Sequence, residues 1–249
     1  MSLANELRTL YHLTLAPVKG DSHQDRLESF YSGQASNYDS FRKRLLHGRE
    51  RLYANTPCPP GGVWVDFGGG TGANLEFLGD RIHEIGKIYI VDLSASLLAV
   101  AKRRIEENAW SNVVTVLADA ATWQPEEKDI DTATFSYSLT MIPNWFAAIQ
   151  NAKELLRPEG HIGVVDFYVG KKYPAANQQQ HSWLIRNFWP TWFANDNVFL
   201  SSDHLPFLQN HFAEIQCAEA LAKVPYLPLF RVPHYSFIGR NQDATKIKD

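Results

Sequence analysis

An α/β fold with a doubly wound, mostly parallel sheet is what the sequence predicts, and three observations carry that expectation. Short apolar runs alternate with amphipathic ones from Val63 to Phe167, the pattern of βαβ units with helices on both faces of a sheet. A glycine turn, Gly68-Gly69-Gly70-Thr71-Gly72, stands where the first of those strands meets the first helix. The 249 residues are 45% hydrophobic and 20% charged, a globular balance with chain enough for one large α/β domain.

The elements follow in order. Residues 1–30 are periodic only in patches and are expected to form one or two short helices on the main body. Segment 38–53 reads as a helix: Phe41, Leu45 and Leu52 share one face, while five basic residues and Gly48 lie within 42–51. The Pro/Gly stretch 57–62 ends it and delivers the chain into strand Val63–Phe67. A helix is expected from about Ala73 to His83, a second strand at Lys87–Val91, and a helix at Ala95–Asn108 with a Leu97, Leu98, Ala101, Ile105 stripe. Strands Val113–Leu117 and Asp131–Tyr137, helix Trp145–Leu156 and strand His161–Phe167 complete the alternation. Right-handed crossovers then leave a doubly wound sheet as the natural arrangement. After residue 170 the pattern changes to an aromatic block over 183–199, then a helix near 203–211 and β-rich runs at about 213–224 and 232–239, which read as an antiparallel edge hairpin. The expected division is a helical lid segment over 1–55, a ligand-binding domain over 56–240 with an insertion at about 170–202, and a tail over 241–249.

Composition excludes several classes. A net charge of −3 gives no basic field for coating nucleic acid. Cys58 and Cys217 form neither a metal-ligand spacing nor a disulfide framework, which fits a reducing compartment. The N-terminus lacks a charged-then-apolar leader pattern. The longest uncharged run, Thr132 to Ala152, holds Pro143, Asn144 and several hydroxyls and does not suit a membrane span. The expected location is therefore cytoplasmic, with room for peripheral membrane contact.

The glycine loop alone is ambiguous, because Gly68-x-Gly70-x-x-Ala73 also meets a loose dinucleotide fingerprint. Three acids choose between ligands. Asp66 precedes the first glycine by two, so a pyrophosphate would be repelled there and an ammonium or sulfonium attracted. Asp92 ends the second strand, where it can accept hydrogen bonds from both ribose hydroxyls. Asp119 ends the third, in reach of an adenine amino group. Each acid alone is an ordinary loop carboxylate; three at consecutive strand ends describe a cationic nucleoside without phosphate, bound at the carboxyl ends of the strands.

Those residues resemble the class I S-adenosylmethionine-dependent methyltransferases over about 35–240. The resemblance implies a seven-stranded, Rossmann-like sheet and S-adenosylmethionine as cofactor, with S-adenosylhomocysteine as product. It implies that Asp66, Gly68 and Gly70 hold the methionine end, Asp92 the ribose, and Asp119 with Ala120 the adenine. Leu93 would pack on the adenine face, and Ser136 would line the site. A narrower likeness lies in Tyr38-Asp39-x-Phe41-Arg42-x-x-Leu45-Leu46-His47-Gly48-Arg49-Glu50, which is similar to the first helix of the methyltransferase module of betaine-lipid synthases. That likeness implies trimethylation of a diacylglyceryl-homoserine headgroup, with Tyr38 and Arg42 closing over the cofactor carboxylate. An arginine fork, from Arg42 or Arg49, suits such a carboxylate.

An amine must be neutral to attack a methyl sulfonium, so a base or water must take its proton. Asp166, His181 and His47 are candidate bases. Tyr137 and Tyr168 are candidates to face the substrate ammonium, since aromatic faces attract cations within about 6 Å. The aromatic block carries Trp183, Trp189 and Trp192 with only Arg186 and Asp196 charged. It reads either as a lid or as a lipid–water contact, where amphipathic rings are favoured. The expected partner is an amine-bearing lipid or small molecule, without metal or nucleic acid. Phosphatidylethanolamine or a small amine is the alternative acceptor within the class; a NAD-dependent oxidoreductase is disfavoured by Asp66 and Asp119.

Overall fold

A computed structural model describes residues 45–127, 129–194, 197–224 and 227–242, with the side chains of 227–229 left aside. Seven strands form one sheet in the order β3-β2-β1-β4-β5-β7-β6. These are β1 (Val63–Phe67), β2 (Lys87–Asp92), β3 (Val113–Leu117), β4 (Ile130–Ser136), β5 (Leu156–Phe167), β6 (Ala213–Val224) and β7 (Leu227–Arg240). The first five run parallel, and β7 is antiparallel to both β5 and β6. Helices α1 (Arg49–Asn55), α2 (Ala95–Glu107) and α4 (Trp183–Ala194) pack on one face; α3 (Trp145–Leu155) and α5 (His204–His211) cover the other. The doubly wound arrangement expected from the alternation is therefore the observed one.

The antiparallel edge hairpin expected at about 213–224 and 232–239 is formed by β6 and β7. It docks through its second strand, so β6 and not β7 becomes the edge. Residues 232–239 of β7 are buried on both faces, as an inner strand requires, whereas β6 alternates half-exposed and exposed positions such as Glu214, Gln216 and Lys223.

One local expectation is corrected. The continuous helix over 38–53 is broken at Gly48, whose φ of 83° puts it in the left-handed region, and α1 begins only at Arg49. A Cβ at Gly48 would lie 3.3 Å from Val165 Cγ2, so the chain turns hard against the end of β5 where glycine fits. Phe41 and the earlier residues lie outside the described chain. The helix expected from about Ala73 to His83 is present over those residues, as a 3-10 helix kinked at Gly79. Arg81 from that segment donates to the carbonyls of Tyr53, Ala54 and Thr56 and so caps the C-terminal end of α1.

Candidate active site

The glycine loop sits at the C-terminal end of β1, beside the crossover that sends β2 and β4 to opposite sides. Its donors turn inward. Gly68 and Gly69 N–H both donate to Val91 O, at 2.7 and 3.3 Å; Gly70 N–H donates to Asp92 Oδ2 at 2.9 Å; Gly72 N–H donates to Gly69 O at 3.0 Å. A phosphate-binding loop aims such groups at its ligand. This loop offers closeness without those donors. Gly68, at φ +67°, is where approach is tightest: a Cβ there would fall 2.4 Å from Ser138 Cβ.

A cavity of about 210 Å³ opens against the loop, lined by Gly68, Gly70, Asp92, Leu93, Asp119 and Ala120 on one side and the 137–144 segment on the other. Six of the predicted cofactor residues thus meet at one place. The lining holds two carboxylates and no lysine or arginine among the described residues, so it suits a cation and a hydroxyl-rich, uncharged nucleoside. Asp92 Oδ1 also accepts from Ser94 N–H at 2.8 Å, and Asp119 Oδ1 accepts from Ala121 N–H at 2.9 Å, which holds both carboxylates at their strand ends.

Asp66 does not reach that surface. It is fully buried beneath the loop, where Oδ1 accepts from Tyr53 Oη at 2.6 Å and Thr134 Oγ1 at 2.9 Å. Its alternation along β1 points it at α1, so its part is to support the loop from below. Asp66 Oδ2 and Ser136 Oγ are both buried without a hydrogen-bond partner. Ser136 is likewise absent from the cavity wall, where Ser138 stands instead.

The proposed acid–base groups are arranged for structure. Asp166 is fully buried and receives Thr140 N–H at 3.1 Å, Thr140 Oγ1–H at 2.8 Å and Phe167 N–H at 2.8 Å, which leaves it no path to a substrate proton. Tyr168 donates to Glu219 of β6, and Glu219 also receives Gln179 N–H, so that pair staples the start of the insertion. His181 Nδ1 accepts from Gly170 N–H at 2.9 Å across the same stretch. His47 is exposed, with Nε2 3.3 Å from Lys223 O. Tyr137 alone of this group lines the cavity; its hydroxyl donates to His47 O at 2.7 Å and its ring meets Phe167 edge-on. Arg49 is buried rather than solvated, donating to Leu46 O and Asn74 Oδ1. Tyr38 and Arg42 lie outside the described residues.

The sequence reading missed the opposite wall, Ser138, Met141, Ile142, Pro143 and Asn144. Its signal was present in the uncharged run after β4, which holds a proline and hydroxyls where a strand end should become a loop.

Burial raises the Asp66 carboxyl to about 6 and the Asp166 carboxyl to about 7, against the hydrogen bonds that favour their ionised forms. Both folded values exceed the ordinary 3.8, so the stability they contribute is complete below about 3.8 and lost as pH rises through about 6 and 7. His204 and His234 have the opposite sign: burial pushes both down to about 4, and their contribution is complete only above 6.5. Between pH 6.5 and 8 the Asp166 loss, about 1 kcal/mol, is therefore largely offset by the gain from the two histidines. Urea denaturation at those two pH values should show the wild type losing about 1 kcal/mol relative to Asp166→Asn, which keeps the histidine gain without the carboxyl loss.

A methyltransferase-domain family model matches residues 38–218, most of the chain. Among curated relatives, the ubiquinone/menaquinone biosynthesis C-methyltransferase UbiE of Coxiella burnetii is 24% identical over 169 residues, covering 66% of this chain and 68% of that protein. The 2-phytyl-1,4-naphtoquinone methyltransferase of Trichormus variabilis is 25% identical over 150 residues, covering 58% of this chain and 66% of that protein. Phosphoethanolamine N-methyltransferase 2 of Haemonchus contortus, solved with S-adenosyl-L-methionine, superposes with a TM-score of 0.68 at 14% identity, over 92% of this chain and 62% of that one. With its seven-stranded sheet, its inward-turned glycine loop and its acid-lined cavity, the chain belongs to the class I S-adenosylmethionine-dependent methyltransferases.

Proposed function

We propose that this enzyme methylates the amino headgroup of a glycerolipid, with diacylglyceryl-homoserine as the favoured acceptor. The observation that carries the lipid half of this reading is an apolar surface on the insertion. Trp183 is 71% exposed, Leu184 60%, Tyr173 79% and Phe199 59%. Apolar side chains left in solvent along the insertion suit the boundary between headgroups and acyl chains. Lys172, whose ammonium lies 5.2 Å from the Tyr173 ring centre, adds attraction to anionic lipid. Trp189 plays no part in this surface: it is 1% exposed, donates from Nε1 to Arg231 O at 2.8 Å, and belongs to the core. No helix among the described residues is long and apolar enough to cross a membrane.

In this reading Gly68 and Gly70 let the methionine portion approach the backbone, Asp92 receives the ribose hydroxyls, and Asp119 with Ala120 and Leu93 frames the adenine. Asp66 sits behind the loop, away from the cavity, and supports it through Tyr53 and Thr134. S-adenosylmethionine, when bound, supplies an electrophilic methyl group. Tyr137 presents an aromatic wall to the amine. No imidazole lines the cavity among the described residues, so water takes the proton the amine must lose. Positioning then supplies much of the acceleration.

The quinone-named relatives favour a second reading, C-methylation of a lipid-soluble quinone precursor. Both acceptors are carried by a bilayer, and they differ in the atom methylated. Incubating the enzyme with isotope-labelled cofactor and a total lipid extract, then locating the label by mass spectrometry, separates the two. Label on a headgroup nitrogen supports the proposal; label on a ring carbon overturns it.

The surface has its own test. Replacing Trp183 and Leu184 with serine should lower binding to anionic vesicles about tenfold or more, the scale of losing two buried apolar side chains. Affinity for S-adenosylhomocysteine should stay within about twofold, because neither residue lines the cavity. A wild-type protein that ignores vesicles and methylates only water-soluble amines would sink the lipid assignment.

A further inference from the structure

We propose that Asp166 and Thr140 form a buried clasp that positions the Ser138–Asn144 wall of the cofactor cavity and ties it to the aromatic insertion. The inference rests on reading that cavity as the cofactor site.

The chain leaves β4 through an unfavourable bend. Tyr137 has a φ of 54°, in the left-handed region for a bulky aromatic residue. Such strain persists only where surrounding contacts over-determine it. The following residues then fold back as a short 3-10 turn, Leu139–Met141, with Met141 and Ile142 N–H both donating to Ser138 O. Beyond it Met141, Ile142, Pro143 and Asn144 face the cavity. A turn of one helical revolution has no stability of its own. Something must hold it.

Three sets of hydrogen bonds do so. Ser138 Oγ–H donates to Phe67 O at 3.0 Å, fixing the start of the turn to β1. Thr140 presents both its N–H and its hydroxyl to the two oxygens of Asp166, fixing the middle to β5. Thr140 O in turn receives Phe199 N–H at 2.7 Å, which joins the wall to the segment just after α4. Thr140 is therefore bonded at once to the sheet and to the insertion. Asp166 is the group that orients it. Neither touches the cavity, and both are positioning residues.

The clasp is complete when Asp166 is ionised, because three donors converge on it and a protonated carboxyl would add a fourth hydrogen needing an acceptor. Its titratable surroundings are Tyr235, paired with it across β5 and β7, Tyr168 two residues along, and His204 of α5 beyond Tyr235. Burial raises both tyrosines and pushes His204 down to about 4, so all three stay neutral from pH 6 to 8. Across the sheet, Asp66, raised to about 6, contributes a separate profile that every variant shares.

The test uses S-adenosylhomocysteine titrated calorimetrically into the full chain at pH 6 and 8. Thr140→Val should weaken binding about tenfold or more at pH 8, the scale of losing one hydrogen bond to a charged group. Thr140→Ser should return it to within about twofold, because the hydroxyl is restored. Asp166→Asn places an amide against the Thr140 donors and should flatten the part of the pH dependence above 6.5. If Asp166→Asn fails to fold, the Val and Ser variants decide alone. Equal affinity and equal pH profiles in Thr140→Val, Thr140→Ser and wild type would reduce the clasp to packing and overturn the proposal. A wild type that does not bind S-adenosylhomocysteine at either pH removes the cofactor assignment of the cavity itself, and the clasp with it.

Discussion

Gly68→Ala should abolish useful cofactor affinity, weakening S-adenosylhomocysteine binding by about a hundredfold or more. The left-handed backbone costs an alanine about 1–2 kcal/mol. The added Cβ would sit 2.4 Å from Ser138 Cβ, a distance real side chains do not tolerate, so the loop or the opposite wall must move. Overpacking of that kind costs about 1–3 kcal/mol. Both relaxations occur at the cavity, and for that reason the effect falls on binding. A double variant, Gly68→Ala with Ser138→Gly, should regain the steric share and leave the backbone share lost. Gly61 supplies the control: its φ is +74° but nothing lies within 4 Å of a Cβ there. Gly61→Ala should therefore cost stability alone and leave the titration unchanged. Near-normal binding by Gly68→Ala would take the glycine loop out of the ligand site.

Asp92→Ala should weaken the same binding by roughly 1.5–3 kcal/mol, the scale of hydrogen bonds to a charged group. The carboxylate holds Gly70 N–H with Oδ2 and Ser94 N–H with Oδ1, so its removal loosens the loop and deletes the proposed ribose acceptor together. Asp92→Asn keeps one acceptor oxygen and should fall between the alanine variant and the wild type. The fold should survive in both, since α2 keeps its own cap, with Ser94 Oγ accepting from Leu97 N–H. Circular dichroism and calorimetry on the two variants check both halves. Unchanged affinity in Asp92→Ala would place the nucleoside elsewhere.

The order of strands and helices, the glycine turn at the end of β1 and the acids at the ends of β2 and β3 were all legible in the sequence. The reason is local. A period of two or of 3.6 states where an element runs, and a strand's end states which residue emerges beside the next loop. Asp92 and Asp119 needed no more than that to be placed at one site. Even the uncharged run after β4 announced a loop, although not that the loop would become a cavity wall.

Tertiary structure alone decided what the buried polar groups do and which aromatic rings meet solvent. Trp183 and Trp189 are six residues apart in one apolar helix, and its pattern does not say which packs under Phe230 and which stays outside. Asp166 and Tyr168 were both candidates for chemistry because each stands near the end of a strand beside the site. Their partners are Thr140, 26 residues away, and Glu219, 51 residues away. Gly48 broke a helix because β5 lies against it, and β7 took the inner place because its neighbours bury both of its faces. Periodicity tells a residue which way to point along its own element. What it meets there depends on elements brought close by the fold, and a buried carboxyl becomes a base or a clasp according to the donors that arrive with them.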